Sequence, residues 1–257
     1  MPGHNTPQRA HGREAARTAV VWEALQEVLA PSGAEPGLDV GTQAGRATVI
    51  DIGGGTGGFA VRVAELGHRV TVIDPSPDAL AIVGRRAEES GVADRVTARQ
   101  GDLDSLPGLV PARSVDVVLC HGVLEIVDDP TVALAALSRV LRPGGVLSLL
   151  VAQRHAAVVA RAMAGHFHQA KALLDDPTAA GSTRRFTTDE VAAALDETGF
   201  DVTAMHAVRV FVDLVPSSLV DLEPGAAAAL VELERAVADR PEYLPLGTQL
   251  HVLATRL

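Results

Sequence analysis

Asp51-Ile52-Gly53-Gly54-Gly55-Thr56-Gly57-Gly58 is the stretch whose reading decides the fold. It prolongs an apolar run, so TVIDIG (48 to 53) reads as a buried first strand that breaks into a glycine turn. Beyond the turn, Phe59, Val63 and Leu66 recur at helical spacing, predicting a helix over 56 to 66 that Gly67 ends. RVTVID (69 to 74) is then a second strand. Pro75, Ser76, Pro77 and Asp78 make a turn and helix start, and the helix they open runs to about Ser90, before Gly91. Strand, glycine turn, helix and strand in this order describe a βαβ unit feeding a parallel sheet.

The rhythm continues outward. RVTARQ (95 to 100) and VDVVLCH (115 to 121) are a third and a fourth strand. TVALAALSRVL (131 to 141) is an amphipathic helix, and RPGG turns sharply into a fifth strand, VLSLLVA (146 to 152). From Gln153 to Phe186 the alternation fails and helical stretches dominate, which predicts an inserted cap. A helix over 188 to 198, a strand near FDVTAMHAVRVF (200 to 211), an Ala-rich helical segment from Pro224 to Glu242 and a last strand in LGTQLHVLATRL (246 to 257) complete the chain. The expectation is one α/β domain over 1–257, a doubly wound, mostly parallel seven-stranded sheet. Its parts are an N-terminal helical segment (1–47), a cofactor-binding core (48–152), the cap (153–186) and a C-terminal completion of the sheet with a helical insert (187–257).

Composition narrows the class. The net charge of -10 argues against a chain that coats nucleic acid through its overall field, although a local basic patch stays open. One cysteine excludes an intramolecular disulfide, the first residues lack the apolar segment of a signal peptide, and no uncharged apolar run is long enough to span a membrane, so a cytoplasmic protein is expected.

The glycines carry the chemistry. Gly53, Gly55 and Gly58 alone match a dinucleotide-binding turn, with pyrophosphate on the following helix. Asp51 changes the reading, because D-x-G-x-G-x-G resembles the first motif of class I methyltransferases. An acidic residue there holds the aminoacyl end of S-adenosyl-L-methionine through its loop. Asp74, ending the second strand, suits the ribose hydroxyls, since a carboxylate accepts two hydrogen bonds; a helix-capping role is its plain alternative. HGVLEIVDDP (121 to 130) and LRPGG (141 to 145) resemble further segments of that class.

The wider resemblance is to the tRNA 5-carboxymethoxyuridine methyltransferase family. It is carried by ARTAVVWEAL (16 to 25), VIDIGGGTGG (49 to 58), HGVLEIVDDP, LRPGGVLSLL, AGHF (164 to 167), VRVF (208 to 211), and YLPLG (243 to 247) with LHVLATR (250 to 256). It implies a Rossmann-like methyltransferase fold with S-adenosyl-L-methionine as cofactor and no metal. The cofactor contacts it implies are Arg17, Asp51, Gly53, Gly54, Gly55, Gly57, Asp74, Asp102, Leu103 and His121. Of these, Asp102 follows the third strand, where the family places an acidic residue near the adenine amino group, and Arg17 would pair with the methionine carboxylate. Each also fits a plainer role: Asp102 in a turn, Arg17 on a solvated helix, His121 in a loop.

A carboxylate acceptor is already ionised at neutral pH and needs a cation to hold it, not a base. Arg154, Arg209 and Tyr243 are the acceptor candidates, with His155 and His166 behind them as bases for a phenol or alcohol; no catalytic residue is assigned. Arg209 is equally explained by an ion pair to Asp213. Where the family has a lysine run this chain has only Arg184 and Arg185, yet residues 153 to 186 carry five Arg or Lys against two Asp. Three functions follow: a tRNA wobble methyl-ester synthase, a small-molecule O- or N-methyltransferase, and a non-catalytic binding module.

Overall fold

A computed structural model describes residues 6–30, 46–179, 183–222 and 225–257. The first five residues and Pro224, the expected start of the Ala-rich segment, lie outside the described residues. The elements in chain order are α1 (Thr6–Leu29), β1 (Thr48–Ile52), α2 (Gly58–Glu65), β2 (Arg69–Asp74), α3 (Pro77–Glu89), β3 (Val96–Gln100), α4 (Leu106–Leu109), β4 (Val115–His121), α5 (Pro130–Val140), β5 (Leu141–Ala152), α6 (Arg154–Met163), α7 (Phe167–Asp175), α8 (Thr188–Glu197), β6 (Phe200–Val208), α9 (Ser217–Leu222), α10 (Ala226–Val237) and β7 (Gln249–Arg256).

The sheet has seven strands in the order β3-β2-β1-β4-β5-β7-β6. β1 pairs in parallel with β2 and with β4, β2 with β3, and β4 with β5. Chain order therefore reverses at the boundary between β1 and β4. That reversal opens a crevice at the carboxyl ends of these strands, where open α/β sheets bind ligands. β1 beyond Thr48 and β4 from Val117 to Cys120 are buried, as expected for central strands of a parallel sheet. β3, at the edge, exposes Thr97 to Gln100 instead.

Local signals place the helices. Ser76 caps α3 by accepting from the Ala79 N–H at 3.3 Å, with Pro77 in the first turn. Asp129 caps α5, its Oδ1 accepting from Thr131 at 2.8 Å and Val132 at 3.2 Å, ahead of Pro130.

Three expectations need correction. Leu66 does not belong to the buried face of α2, which is made by Ala60, Val61, Val63 and Ala64; Leu66 is 46% exposed. The RPGG segment does not precede β5 but lies within it, because the strand starts at Leu141 and absorbs the turn as an irregularity opposite Val115 and Val117. β6 stops at Val208, since Arg209 has φ 61 and cannot continue an extended strand. Arg209 is thus just past the strand, not on it. The short α4 and α9 had no periodic signal strong enough to predict them.

By contacts the chain divides into two compact units, Met1–Leu25 with Ala152–Thr188 and Ala204–His251, and Gln26–Val151 with Asp189–Thr203 and Val252–Leu257. The second holds the glycine turn and a core built on Ile52, Ile73, Leu119, Leu134, Leu137, Leu147 and Leu149, all fully buried. Cys120 is buried in it too, on β4. The first contains two apolar clusters, Ala16 with Val212, Val220 and Leu230, and Ala207 with Val210 and Val237. Among the described residues no helix is long and apolar enough to cross a membrane.

Candidate active site

In the second unit, a cavity of about 470 Å³ opens at the carboxyl ends of β1, β2, β3 and β4. Its volume lies within the ~300–1,000 Å³ usual for small-molecule sites. Gly53, Asp74, Asp102 and Leu103 line it, as do Val123 and Ile126 after β4.

The backbone of the glycine turn approaches its surroundings closely. Gly53 has φ +67, its N–H donates to the Ile73 carbonyl at 2.7 Å, and a Cβ there would overlap Cγ2 of Val123. A Cβ on Gly54 would sit 2.5 Å from Oδ2 of Asp51, so the Asp51 carboxyl is packed directly beneath the turn. Burial, and secondarily the charge of Asp74, push Asp51 up to about 7 from the ordinary carboxylate range. This side chain therefore changes charge near neutrality.

Asp74 ends β2 with both oxygens engaged: Oδ2 accepts from the Gly55 N–H at 2.9 Å and Oδ1 from the Ser76 N–H at 2.9 Å. It ties the glycine turn to the start of α3, while Ser76 does the capping. A carboxylate offers about four lone-pair positions, so each oxygen retains capacity for a further donor. Asp102 is exposed, and its Oδ1 accepts from both the N–H (2.9 Å) and the hydroxyl (2.8 Å) of Ser105. Those bonds hold it below the usual carboxylate range. Leu103 beside it is buried in the cavity wall.

His121 meets the edge of Phe59, ring centroids 5.0 Å apart, and its Nε2 is 2.9 Å from the Ser148 hydroxyl. Burial lowers it to about 4, so the imidazole is neutral at physiological pH. Gly122 and Val123, not His121, line the cavity there. Ser148 was missed by the sequence reading, although a lone hydroxyl in the apolar run VLSLLVA signals a buried partner.

The remaining candidates all lie in the first unit. Arg17 Nη2 pairs with Asp213 Oδ1 at 3.2 Å, and Arg209 Nη2 with Asp213 Oδ2 at 2.5 Å. The expected Arg209–Asp213 ion pair is present, and Arg17 joins it. Thr248 Oγ1 donates to Asp213 Oδ2 at 3.2 Å. Tyr243 stands edge-on to Phe211, centroids 6.2 Å apart. Arg154 is buried at the start of α6, with Nη2 donating to the Arg185 carbonyl at 3.2 Å. His155 and His166 are exposed, and His166 immediately precedes α7. Arg17, Arg209 and Asp213 are brought together.

Comparison with known proteins agrees with this geometry. Residues 50–149 match the family model described as a methyltransferase domain. The tRNA 5-carboxymethoxyuridine methyltransferase of Escherichia coli K12 is 31% identical over 242 residues, covering 93% of this chain and 88% of that protein. A ubiquinone biosynthesis O-methyltransferase of Xanthomonas euvesicatoria is 36% identical over 127 residues, 49% of this chain and 52% of its own length. Among solved structures, an S-adenosylmethionine-dependent methyltransferase from Mesorhizobium loti superposes with a TM-score of 0.58 at 21% identity, covering 95% of this chain and 100% of that one. This chain is thus a class I S-adenosyl-L-methionine-dependent methyltransferase and belongs to the family of the tRNA 5-carboxymethoxyuridine methyltransferases.

Proposed function

We propose that the enzyme forms the methyl ester of a tRNA wobble carboxymethoxyuridine, acting in the cytoplasm. The observation that supports this acceptor is the reach of the likeness: the tRNA enzyme aligns over 93% of the chain, whereas the ubiquinone-pathway enzyme aligns over 49%. A shared cofactor core is common to many methyltransferases; agreement over the acceptor-binding remainder is more selective.

The cavity fits S-adenosyl-L-methionine. In this reading the backbone of Gly53, Gly54, Gly55 and Gly57 allows close approach, and Asp51 beneath it faces the ammonium of the aminoacyl end. Asp74 takes the ribose hydroxyls on its remaining lone pairs. Leu103, with Val123 and Ile126, forms an apolar wall for adenine, and Asp102 receives the adenine amino group. His121, neutral, supports the floor with Ser148 and cannot attract a carboxylate by charge. S-adenosyl-L-methionine supplies an electrophilic methyl group, and an in-line acceptor carboxylate needs alignment in place of deprotonation.

Arg17 and Arg209 serve that alignment in our reading. Two guanidinium groups on one carboxylate leave a net positive charge at Asp213, which suits a second, incoming carboxylate. Arg209, beside Arg17, would meet the carboxylate of the acceptor, with Tyr243, Arg154, His155 and His166 as the outer acceptor contacts.

A small-molecule acceptor is the second reading. It is favoured by the carboxylates of Asp74, Asp102, Asp104, Asp128 and Asp129 along the cavity, a wall that repels phosphate. Calorimetric titration with S-adenosyl-L-methionine, followed by transfer of labelled methyl to total tRNA from a strain lacking the enzyme, separates the two. We expect binding and base-labile label in tRNA. Binding without label in tRNA transfers the assignment to a small acceptor.

A further inference from the structure

We propose that Glu234 is a positioning residue for the acceptor side of this enzyme: its buried carboxylate clamps the turn that presents Arg209 to Asp213. The inference rests on the reading of Arg209 as an acceptor contact.

The geometry begins at the end of β6. Arg209 has φ 61, a left-handed conformation that is strained for a residue with a Cβ and persists only where its surroundings hold it. The next three backbone N–H groups all point at one carboxylate. Glu234 Oε2 accepts from Val210 at 2.9 Å, and Oε1 accepts from Phe211 at 2.8 Å and from Val212 at 2.7 Å. Glu234, on α10, is completely buried.

A left-handed residue followed by converging N–H groups is a backbone anion nest, here filled by the protein's own carboxylate. The cost of burying the charge is offset by three charge-assisted hydrogen bonds. Beyond the nest, Arg209 Nη2 meets Asp213 and Nη1 donates to Gln249 Oε1 at 3.4 Å. The Arg209 carbonyl accepts from the Thr248 N–H and hydroxyl, each at 3.3 Å. The segment from 209 to 213 therefore owes its shape to Glu234 and delivers two charged side chains.

An amide at 234 fails in this role. Glutamine has one acceptor oxygen where the nest uses two, and its NH2 would face a backbone donor, so at least one of the three N–H groups loses its partner. With the nest weakened, the left-handed turn relaxes and Arg209 leaves Asp213.

The test is Glu234→Gln in the full-length enzyme, assayed on tRNA from a strain lacking the enzyme. The expected result is an acceptor KM raised about tenfold with kcat within about threefold of wild type. Combined with Arg209→Ala, Glu234→Gln should add no further rise, because both changes remove the same contact. Arg235→Ala, next to Glu234 on α10, breaks the ion pair to Glu23 of α1; it should leave KM unchanged and controls for general damage to α10. Should Glu234→Gln not fold, Glu234→Asp keeps the charge, withdraws it by one methylene and should give an intermediate KM. Additive effects of the 209 and 234 substitutions would overturn the proposal. Amide hydrogen exchange at 210 to 212 is read on the same proteins and needs no acceptor. Faster exchange in Glu234→Gln supports the clamp and unchanged exchange refutes it. Wild-type enzyme that labels no tRNA would instead sink the acceptor reading, leaving exchange to decide the clamp.

Discussion

Replacing Gly53 by alanine should lower stability by about 3 kcal/mol and raise the S-adenosyl-L-methionine Kd about a hundredfold. Two costs combine. At φ +67 an alanine sits in the left-handed region, at about 1–2 kcal/mol. Its Cβ would also overlap Val123 Cγ2, and over-packing of this kind costs about 1–3 kcal/mol. Relief requires either Val123 or the turn to move, and both line the cavity. Gly55→Ala is the matched comparison: φ is +53, but nothing lies within 4 Å of the added Cβ, so only the conformational cost applies. Urea denaturation and calorimetric titration of the two variants give the comparison; equal losses would show that crowding at Val123 is irrelevant.

The second large effect is on pH. Asp51 titrates at about 7 in the folded protein, against 3.8 as its ordinary value. The native state then binds the extra proton between those values, so the stability this group contributes is fully present below about 3.8 and is lost as pH rises to about 7. A cationic ligand reverses the preference. The ammonium of S-adenosyl-L-methionine favours the Asp51 carboxylate, so binding expels the proton and strengthens with rising pH, by up to about tenfold per unit below 7. Above 7 the slope should vanish. Titration at several pH values in wild type and Asp51→Asn checks this: the asparagine variant should bind weakly, without that slope, and its apo form should be less destabilised between pH 4 and 7. A slope that survives in Asp51→Asn would place the titrating group elsewhere.

Most of the cofactor half was legible in sequence because its signals are local. A strand that ends in glycines and the turn from Pro75 to Asp78 that opens α3 each act within a few residues, and each was placed to within one or two positions. The position of Asp74 at the end of β2 followed from strand length alone. What escaped depends on tertiary packing. Leu66 satisfies helical spacing yet faces water, because the short side chains of α2 already fill its contact with the sheet. Arg209 looked like a strand residue, since an unusual φ leaves no trace in residue type. Glu234 sits in VELERAV, where acidic and basic residues alternate as on a solvated helix face, and only the fold reveals that this carboxylate is the buried one. The Arg209–Asp213 pair was readable from its spacing of four residues; the arrival of Arg17 from a point 196 residues distant was not.

Cys120 gives this enzyme a clock. It is the only cysteine in the chain, it is completely buried on β4, and burial first, then Glu125 and Asp51, push its thiol far above the ordinary range. Only a thiolate reacts with an alkylating or disulfide reagent, so the native fold is silent and labelling must wait for the strand to open. The labelling rate therefore counts openings of the central sheet. Anything that binds the closed form slows it by the factor 1 + [L]/Kd. Affinities for the cofactor, its demethylated product and any prospective acceptor can thus be ranked by one mass-shift time course, with no methyl transfer taking place.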